Sequence, residues 1–175
     1  MAKPFLVVPW PPGRACSQYG KHWDVQYEWS HVTDRDGKNL AVQQLLGIIE
    51  SLTEPTKTYI LQEVYTLMKR AEAGRCVPTE WRQGERVQQG QVDRMGYGRA
   101  DVLELKVFRK LPGVPQKCLR IYFVEPTTRY DLLAISARTK PANEYANETQ
   151  NKQWKEAQTT VDRWWVAQTA DWTTG

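Results

Sequence analysis

The spacing of apolar residues changes several times along the chain and predicts the order of its elements. Residues 23–29 alternate between apolar and polar, which predicts a half-buried strand with Trp29 on its apolar face. Apolar residues then recur every three or four positions over about 40–52 and again over about 56–73, a spacing typical of amphipathic helices. The connection between them is short and contains Pro55, so the two helices are expected to form a hairpin.

The second half of the chain predicts three strands and a helix. Residues 102–108, 118–124 and 130–137 are rich in β-forming side chains and are separated by short turns, which favours an antiparallel meander. Pro141 is expected to end the third strand. A last helix is expected over about 143–168, which contains neither proline nor glycine.

These elements predict one α+β domain at residues 23–168. It is a mostly antiparallel sheet of about four strands, with an N-terminal helical hairpin and a C-terminal helix packed on one face. Residues 1–22 are expected to form an irregular extension because they contain Trp10-Pro11-Pro12-Gly13. The polar, glycine-containing stretch 74–100 is expected to be a long loop, and residues 169–175 a tail.

Composition narrows the function classes. The chain has 175 residues, 41% of them hydrophobic and 25% charged, as in globular proteins. The longest apolar run, residues 5–10, is far shorter than the about 20 residues that span a bilayer, so a cytoplasmic protein without a membrane partner is expected. Three separated cysteines and two histidines do not match metal-ligand spacing, and neither dinucleotide nor P-loop motifs occur. We therefore expect no cofactor and no metal, and any catalysis to depend on Lys, Arg, Tyr and carboxylates.

Positive charge is concentrated on the predicted meander. The net charge of the chain is +4. Residues 99–140 contain nine basic and four acidic side chains. The basic residues are Arg99, Lys106, Arg109, Lys110, Lys117, Arg120, Arg129, Arg138 and Lys140. Such a segment could hold a phosphate backbone, or it could be a solvated sheet edge whose lysines prevent pairing with other strands.

Arg120 is the most informative of these cations because it lies inside the most apolar strand. On that strand it shares a face with Tyr122, and we expect it to be diagonal to Lys106 on the neighbouring strand. A guanidinium in that position must be exposed, paired or built to bind an anion, and Glu104 is the candidate partner for a salt bridge. Further along the chain, the end of the third strand contributes Arg138 and Lys140, and Tyr145 follows where the last helix begins.

Three motifs resemble a known family. They are LELKV at 103–107, LRIYFV at 119–124 and LLAISARTK at 132–140, after a short strand and a helical hairpin and before a helix. This arrangement resembles the RelE/HigB-like toxins of bacterial type II toxin–antitoxin systems, within the RelE/ParE superfamily and closest to its phage-derived HigB-like branch. The resemblance covers about residues 23–168 and implies a RelE-like fold.

The resemblance also implies an activity. Members of this kind are metal-independent endoribonucleases (mRNA interferases) that stop translation, and many cleave mRNA on the ribosome. The ribose 2′-OH attacks the adjacent phosphate, and preorganised cations stabilise the charge that develops. The implied partners are therefore mRNA and a cognate helix-turn-helix antitoxin.

The resemblance assigns roles to individual residues. Arg120 matches the strand arginine that contacts the scissile phosphate, and Lys106 matches a basic residue that acts as base or stabiliser. Either Lys140 or Arg138 matches the basic residue that ends the last strand, and Tyr145 is near a tyrosine that stacks on a base or assists proton transfer. The catalytic candidates are thus Arg120, Lys106, Lys140 and Tyr145. The RNA-binding candidates are Arg109, Lys110, Lys117 and Arg138.

Two other functions stay open on the same scaffold. One is inhibition of DNA gyrase, as in the ParE group, which would not require a phosphate clamp. The other is a non-enzymatic prophage or host interaction protein. Tryptophans favour the latter where they are exposed, because aromatic residues are enriched at interfaces. Four of them lie near the C-terminus, although those in the helix could instead pack on the sheet. They are Trp154, Trp164, Trp165 and Trp172.

Overall fold

The computed structural model describes residues 16, 28–82, 85–94, 102–125, 131–142 and 147–171. Its elements, in chain order, are β1 (Glu28–His31), α1 (Leu40–Ile49), α2 (Glu54–Glu72), β2 (Glu80–Arg82), β3 (Glu85–Gln88), β4 (Val92–Arg94), β5 (Leu103–Phe108), β6 (Lys117–Val124), β7 (Asp131–Pro141) and α3 (Asn147–Asp171). The α+β class and the order strand, two helices, meander, helix are as predicted.

The main sheet has five strands in the order β1-β7-β6-β5-β4. Strands β5, β6 and β7 form the predicted antiparallel meander. Strand β1, however, pairs in parallel with β7. The sheet is therefore mixed and has one strand more than the predicted, mostly antiparallel sheet of about four strands, although its other three pairings are antiparallel. Sequence spacing could not predict this pairing, because the two strands are about 100 residues apart and their direction depends on the path of the intervening chain.

The prediction of a long loop over 74–100 was wrong in part. Strands β2 and β3 form a two-stranded antiparallel sheet, and β4 adds an edge strand to β5. These strands have only three or four residues and are mostly polar, so they carry no clear alternation of apolar positions. Residues 83, 84 and 95–100 lie outside the described residues.

The ends of two predicted elements also fall outside the described residues. The described part of the first strand begins at Glu28 and that of the last helix at Asn147. Residues 23–27 of the predicted strand and residues 143–146 of the predicted helix lie outside the described residues. Within the described part, Trp29 packs edge-on against Phe123 with ring centroids 5.3 Å apart. Its indole Nε1 also donates to the carbonyl oxygen of Met68 at 2.9 Å, which ties β1 to α2.

Both helices of the predicted hairpin form, and residues 50–53 connect them. Helix α1 buries Ala41, Leu45 and Ile49, which recur every four positions. Helix α2 has proline in its first turn, where a missing backbone N–H has no cost, and is followed by Gly74 with a φ of 65°. Glycine adopts this left-handed conformation without steric strain, so it ends the helix at the predicted position.

Helices cover both faces of the sheet, which corrects the prediction that they pack on one face. Successive residues of β6 point to opposite faces. Phe123 belongs to a core cluster with Ile49 of α1 and Ile60 of α2, whereas Tyr122 belongs to a second cluster with Val161 of α3. The apolar stripe of a helix shows that it is buried but not on which face of the sheet it lies.

Helices α2 and α3 have 19 and 25 residues, lengths that would reach across a bilayer. Their composition does not fit that role. Among the residues that the structure describes, no helix is both long enough and apolar enough to cross a membrane.

Candidate functional site

Three basic side chains lie directly opposite one another on neighbouring strands, on the sheet face under α3. The register pairs Lys106 with Arg120 and Arg120 with Arg138. Lys106 is therefore opposite Arg120 and not diagonal to it, because pairing register is not determined by the sequence of a single strand. Like charges directly opposite each other destabilise a sheet, so this row needs carboxylates or an anion nearby.

Arg120 is buried and ion-paired. Its Nε donates to Glu104 Oε1 at 2.7 Å, and its Nη1 donates to the carbonyl oxygens of Phe108 and Leu119 at 2.6 and 2.9 Å. The Arg120 side chain is 6% exposed and that of Glu104 0%. Pairing and hydrogen bonding make these buried charges tolerable. Of the arrangements that the sequence left open for Arg120, the salt bridge with Glu104 is the one observed.

Lys106 is bonded to groups at the edge of the sheet. Its Nζ donates to Asp93 Oδ2 at 2.9 Å and to Thr79 Oγ1 at 2.8 Å, and its side chain is 11% exposed. The carboxylate offsets the cation next to Arg120 and ties β4 to β5. Sequence reasoning missed Asp93 because it lies in the stretch predicted to be a loop.

Lys140 is largely buried and hydrogen-bonded to α3. Its Nζ donates to Gln150 Oε1 at 2.8 Å and lies 3.9 Å from Glu104 Oε1, and its side chain is 13% exposed. Burial lowers the pKa of Lys140, the neighbouring Glu104 opposes this shift, and Arg120 adds to it. The neutral amine is therefore more accessible at Lys140 than at an exposed lysine.

Helix α3 closes this cluster with two glutamines. Gln150 Nε2 donates to Glu104 Oε2 at 2.6 Å, and Gln153 Nε2 donates to the carbonyl oxygen of Thr139 at 2.8 Å. The hydroxyl of Tyr122 donates to Gln153 Oε1 at 3.1 Å, and burial raises the pKa of this tyrosine, which keeps it neutral. Sequence reasoning missed both glutamines. The available signal was their position at the start of the buried stripe of α3.

A pocket opens at the end of the sheet beside Lys140. It has a volume of about 460 Å³. Its lining residues are Gln116, Lys117, Thr139, Lys140, Pro141 and Ala142. Lys117 begins β6 opposite Pro141, so the start of β6 and the end of β7 form the walls together. A pocket of this size can hold part of a larger ligand. The partly buried lysine beside it is suited to exchange a proton with that part.

Exposed cations surround the same end of the sheet. Arg109 and Lys110 follow β5 and are exposed, as is Lys117. The chain between them turns at Gly113, whose φ of 80° glycine adopts without strain, and Val114 N donates to the Leu111 carbonyl oxygen at 2.9 Å. The turn thus brings three of the RNA-binding candidates to the end of the sheet where Lys140 lies.

The remaining candidates are placed differently. Arg138 ends the row of three cations and is more exposed than the other two. Its side chain is 39% exposed, and its Nη2 is 3.6 Å from Glu156 Oε2 on α3. Tyr145 lies outside the described residues.

The described residues contain no group of three or more His, Cys, Asp or Glu side chains placed to hold a metal ion. Comparison of the chain with protein-family models, with curated proteins and with solved structures finds no match.

Proposed function

We propose that this chain is the toxin of a type II toxin–antitoxin system and cleaves mRNA with Lys140 as general base. Two observations support the proposal. The motifs at 103–107, 119–124 and 132–140 resemble RelE/HigB-like toxins, and Lys140, whose pKa is lowered, lines a pocket surrounded by exposed cations. The lysine beside the pocket is the single structural observation that carries the proposal.

The proposed step is an internal transfer of the phosphate. The ribose O2′ forms a bond to the adjacent phosphorus, the P–O5′ bond breaks, and the O2′ proton passes to the neutral Nζ of Lys140. The departing O5′ takes a proton from water. The products are a 2′,3′-cyclic phosphate and a 5′-hydroxyl. The lowered pKa of Lys140 increases the fraction of amine that can accept the proton at neutral pH.

The other cations have binding and positioning parts in this proposal. Lys117 is at the pocket and faces the charge that develops on the phosphate. Arg109 and Lys110 are exposed and hold flanking phosphates. Arg120 is a positioning residue: it fixes Glu104, which in turn bonds Gln150, the acceptor for Lys140.

Expression of matched variants tests the role of Lys140. Arginine retains the charge of Lys140 but cannot act as a base, so Lys140→Arg should reduce RNA cleavage by at least about 100-fold. Lys69→Arg also retains charge and lies on α2, which packs on the opposite sheet face. It is the control and should leave RNA cleavage within a few-fold of wild type. The readouts are growth and amino-acid incorporation after induction in a bacterial host, with mapping of 2′,3′-cyclic phosphate ends on its mRNA.

The outcomes separate the proposal from its rivals. We expect wild type and Lys69→Arg to stop growth and translation, and Lys140→Arg to permit both. If Lys140→Arg is as toxic as wild type, Lys140 is not the base. If growth stops with DNA damage while translation continues, the ParE-like alternative replaces the ribonuclease.

One observation favours a second function. The guanidinium expected to contact the scissile phosphate is instead buried against Glu104, as in a purely structural ion pair. A non-enzymatic interaction protein on this scaffold would have such a pair. In that case the soluble wild-type protein would leave both growth and translation unchanged in the same experiment.

A further inference from the structure

A second depression lies between the end of β7 and the outer side of α3. It is an open groove with a volume of about 760 Å³. Four of its lining side chains are cationic: Arg138 from β7, and Lys152, Lys155 and Arg163 from α3. Two are carboxylates, Glu148 and Glu156, so the groove has a net charge of about +2.

The cations of α3 form a track along one side of the helix. Lys152, Lys155 and Arg163 lie three and eight positions apart, so they share one side of the helix. At a rise of 1.5 Å per residue the track is about 16 Å long. Arg138 joins it to the end of the sheet, because Arg138 and Lys140 are two positions apart on β7 and point to the same sheet face.

The chemistry of the lining distinguishes between classes of macromolecule. The remaining lining residues are asparagine and threonine, and no apolar side chain lines the groove. Protein interfaces have an apolar and aromatic centre, whereas phosphate backbones are held by Lys, Arg, Thr and Asn side chains. The groove therefore fits a nucleic-acid backbone better than a protein surface.

We propose that this groove binds the phosphate backbone of the RNA strand whose cleavage site lies in the Lys140 pocket. The inference rests on the proposed ribonuclease function and adds a binding surface to it. Lys152, Lys155 and Arg163 neutralise successive phosphates outside the pocket. Arg138 connects the two parts of the surface.

A substitution of Glu156 is expected to strengthen RNA binding, whereas loss of the groove cations should weaken it. Glu156 Oε2 lies 3.6 Å from Arg138 Nη2, and the two side chains are 45% and 39% exposed. In the free protein the carboxylate neutralises part of the charge of Arg138. Glu156→Gln releases that charge to the RNA, so it should tighten binding by about 5-fold, the effect of one additional phosphate contact at 0.1 M salt.

The main experiment measures binding without cleavage. The probe is a single-stranded 2′-O-methyl RNA of 12 nucleotides, which lacks the attacking hydroxyl, and its affinity is followed by fluorescence anisotropy from 50 to 300 mM KCl. The triple variant Lys152→Gln, Lys155→Gln, Arg163→Gln should bind about 100-fold more weakly at 0.1 M salt. The slope of log K against log salt should become shallower by about 2, or about 0.7 per lost contact.

A matched variant controls for net charge. Lys69→Gln, Arg70→Gln, Arg75→Gln removes three exposed cations in and just after α2, which packs on the opposite sheet face from α3. It should retain at least a third of the wild-type affinity. Equal losses in the two triple variants, or no loss in either, would overturn the proposal. So would tight binding of polyglutamate without binding of RNA, because the groove would then recognise an acidic protein.

The experiments distinguish failure of the ribonuclease proposal from failure of the groove proposal. RNA binding that depends on the α3 cations, together with the absence of cleavage and of translation arrest, would sustain the groove and refute the ribonuclease. Cleavage that depends on Lys140, together with wild-type binding by the triple variant of α3, would refute the groove alone.

Discussion

The two faces of the main sheet are built from the same strands but differ in chemistry. The face under α1 and α2 presents Leu105, Ile121 and Phe123, all at most 3% exposed, to the helices. The face under α3 is divided. One end is apolar where Val124 meets Val161, whereas the other holds the ion pair between Glu104 and Arg120.

This difference indicates that the two faces contribute unequally to stability. Apolar burial provides a favourable free energy with little directional demand, so the α1/α2 face can supply most of the stability. A buried ion pair is weak evidence for stability, since its desolvation cost is close to its Coulombic gain. The ion pair under α3 is therefore expected to add little to stability compared with the apolar face.

The largest effect is expected on the apolar face. Phe123→Ala removes a fully buried ring that contacts Trp29, and should lower the free energy of unfolding by about 4 kcal/mol. Chemical denaturation measures the change. Leu46→Ala on the exposed side of α1, where the leucine is 50% exposed, should stay within about 0.5 kcal/mol. A similar loss in both variants would contradict the assignment of stability to this face.

A smaller effect is expected from the ionic end. Glu104→Gln keeps the shape of the side chain but leaves Arg120 buried without its counter-ion, and should cost about 3 kcal/mol of stability. In the double variant Glu104→Gln, Arg120→Met, the amide oxygen can still accept from Gln150 and no guanidinium is left without its counter-ion. This double variant should recover at least half of that loss in the same denaturation measurement. If the double variant is less stable than the single one, the pair contributes net stability and the comparison above is wrong.

The smallest effect concerns pH on the apolar face. Burial raises the pKa of the Cys76 thiol to about 12, from an ordinary value of 9.0. The buried, protonated thiol contributes fully to the free energy of unfolding below pH 9. As pH rises from 9 toward 12 this contribution is lost, by about 1.4 kcal/mol per pH unit. Between pH 8 and pH 10.5 wild type should lose about 2 kcal/mol relative to Cys76→Ala. Parallel stability curves for the two proteins would contradict the burial of this thiol.

The elements predicted from the sequence are those in which the alternation or helical spacing of apolar residues extends over several residues. The meander strands and the helical hairpin have apolar spacing over six or more residues. Strands β2, β3 and β4 are too short for such spacing. The parallel partner of β1 and the sheet face covered by α3 are set by distant contacts that no local pattern encodes.

The candidate site was predicted only in part, because its residues are brought together by contacts between distant segments. The cations of β5, β6 and β7 were found from charge alone, and Glu104 was named as a partner for Arg120 because the two lie on neighbouring strands. The register, which places Lys106 opposite Arg120, depends on how the connection from Arg109 to Gln116 folds. Gln150 and Gln153 are uncharged amides, so neither charge nor hydropathy distinguished them.

The parallel pairing of β1 with β7 has a consequence for how the chain folds. The paired residues Glu28 and Asp131 enclose about 100 residues, so this contact closes a long loop and carries its entropic cost. Contacts within the meander are closer in sequence than those of β1, so we expect β1 to join the sheet after the meander has formed. During synthesis β1 leaves the ribosome long before β7, which is its only neighbour in the order of the described strands. Until β7 has emerged, β1 therefore lacks the strand with which it pairs.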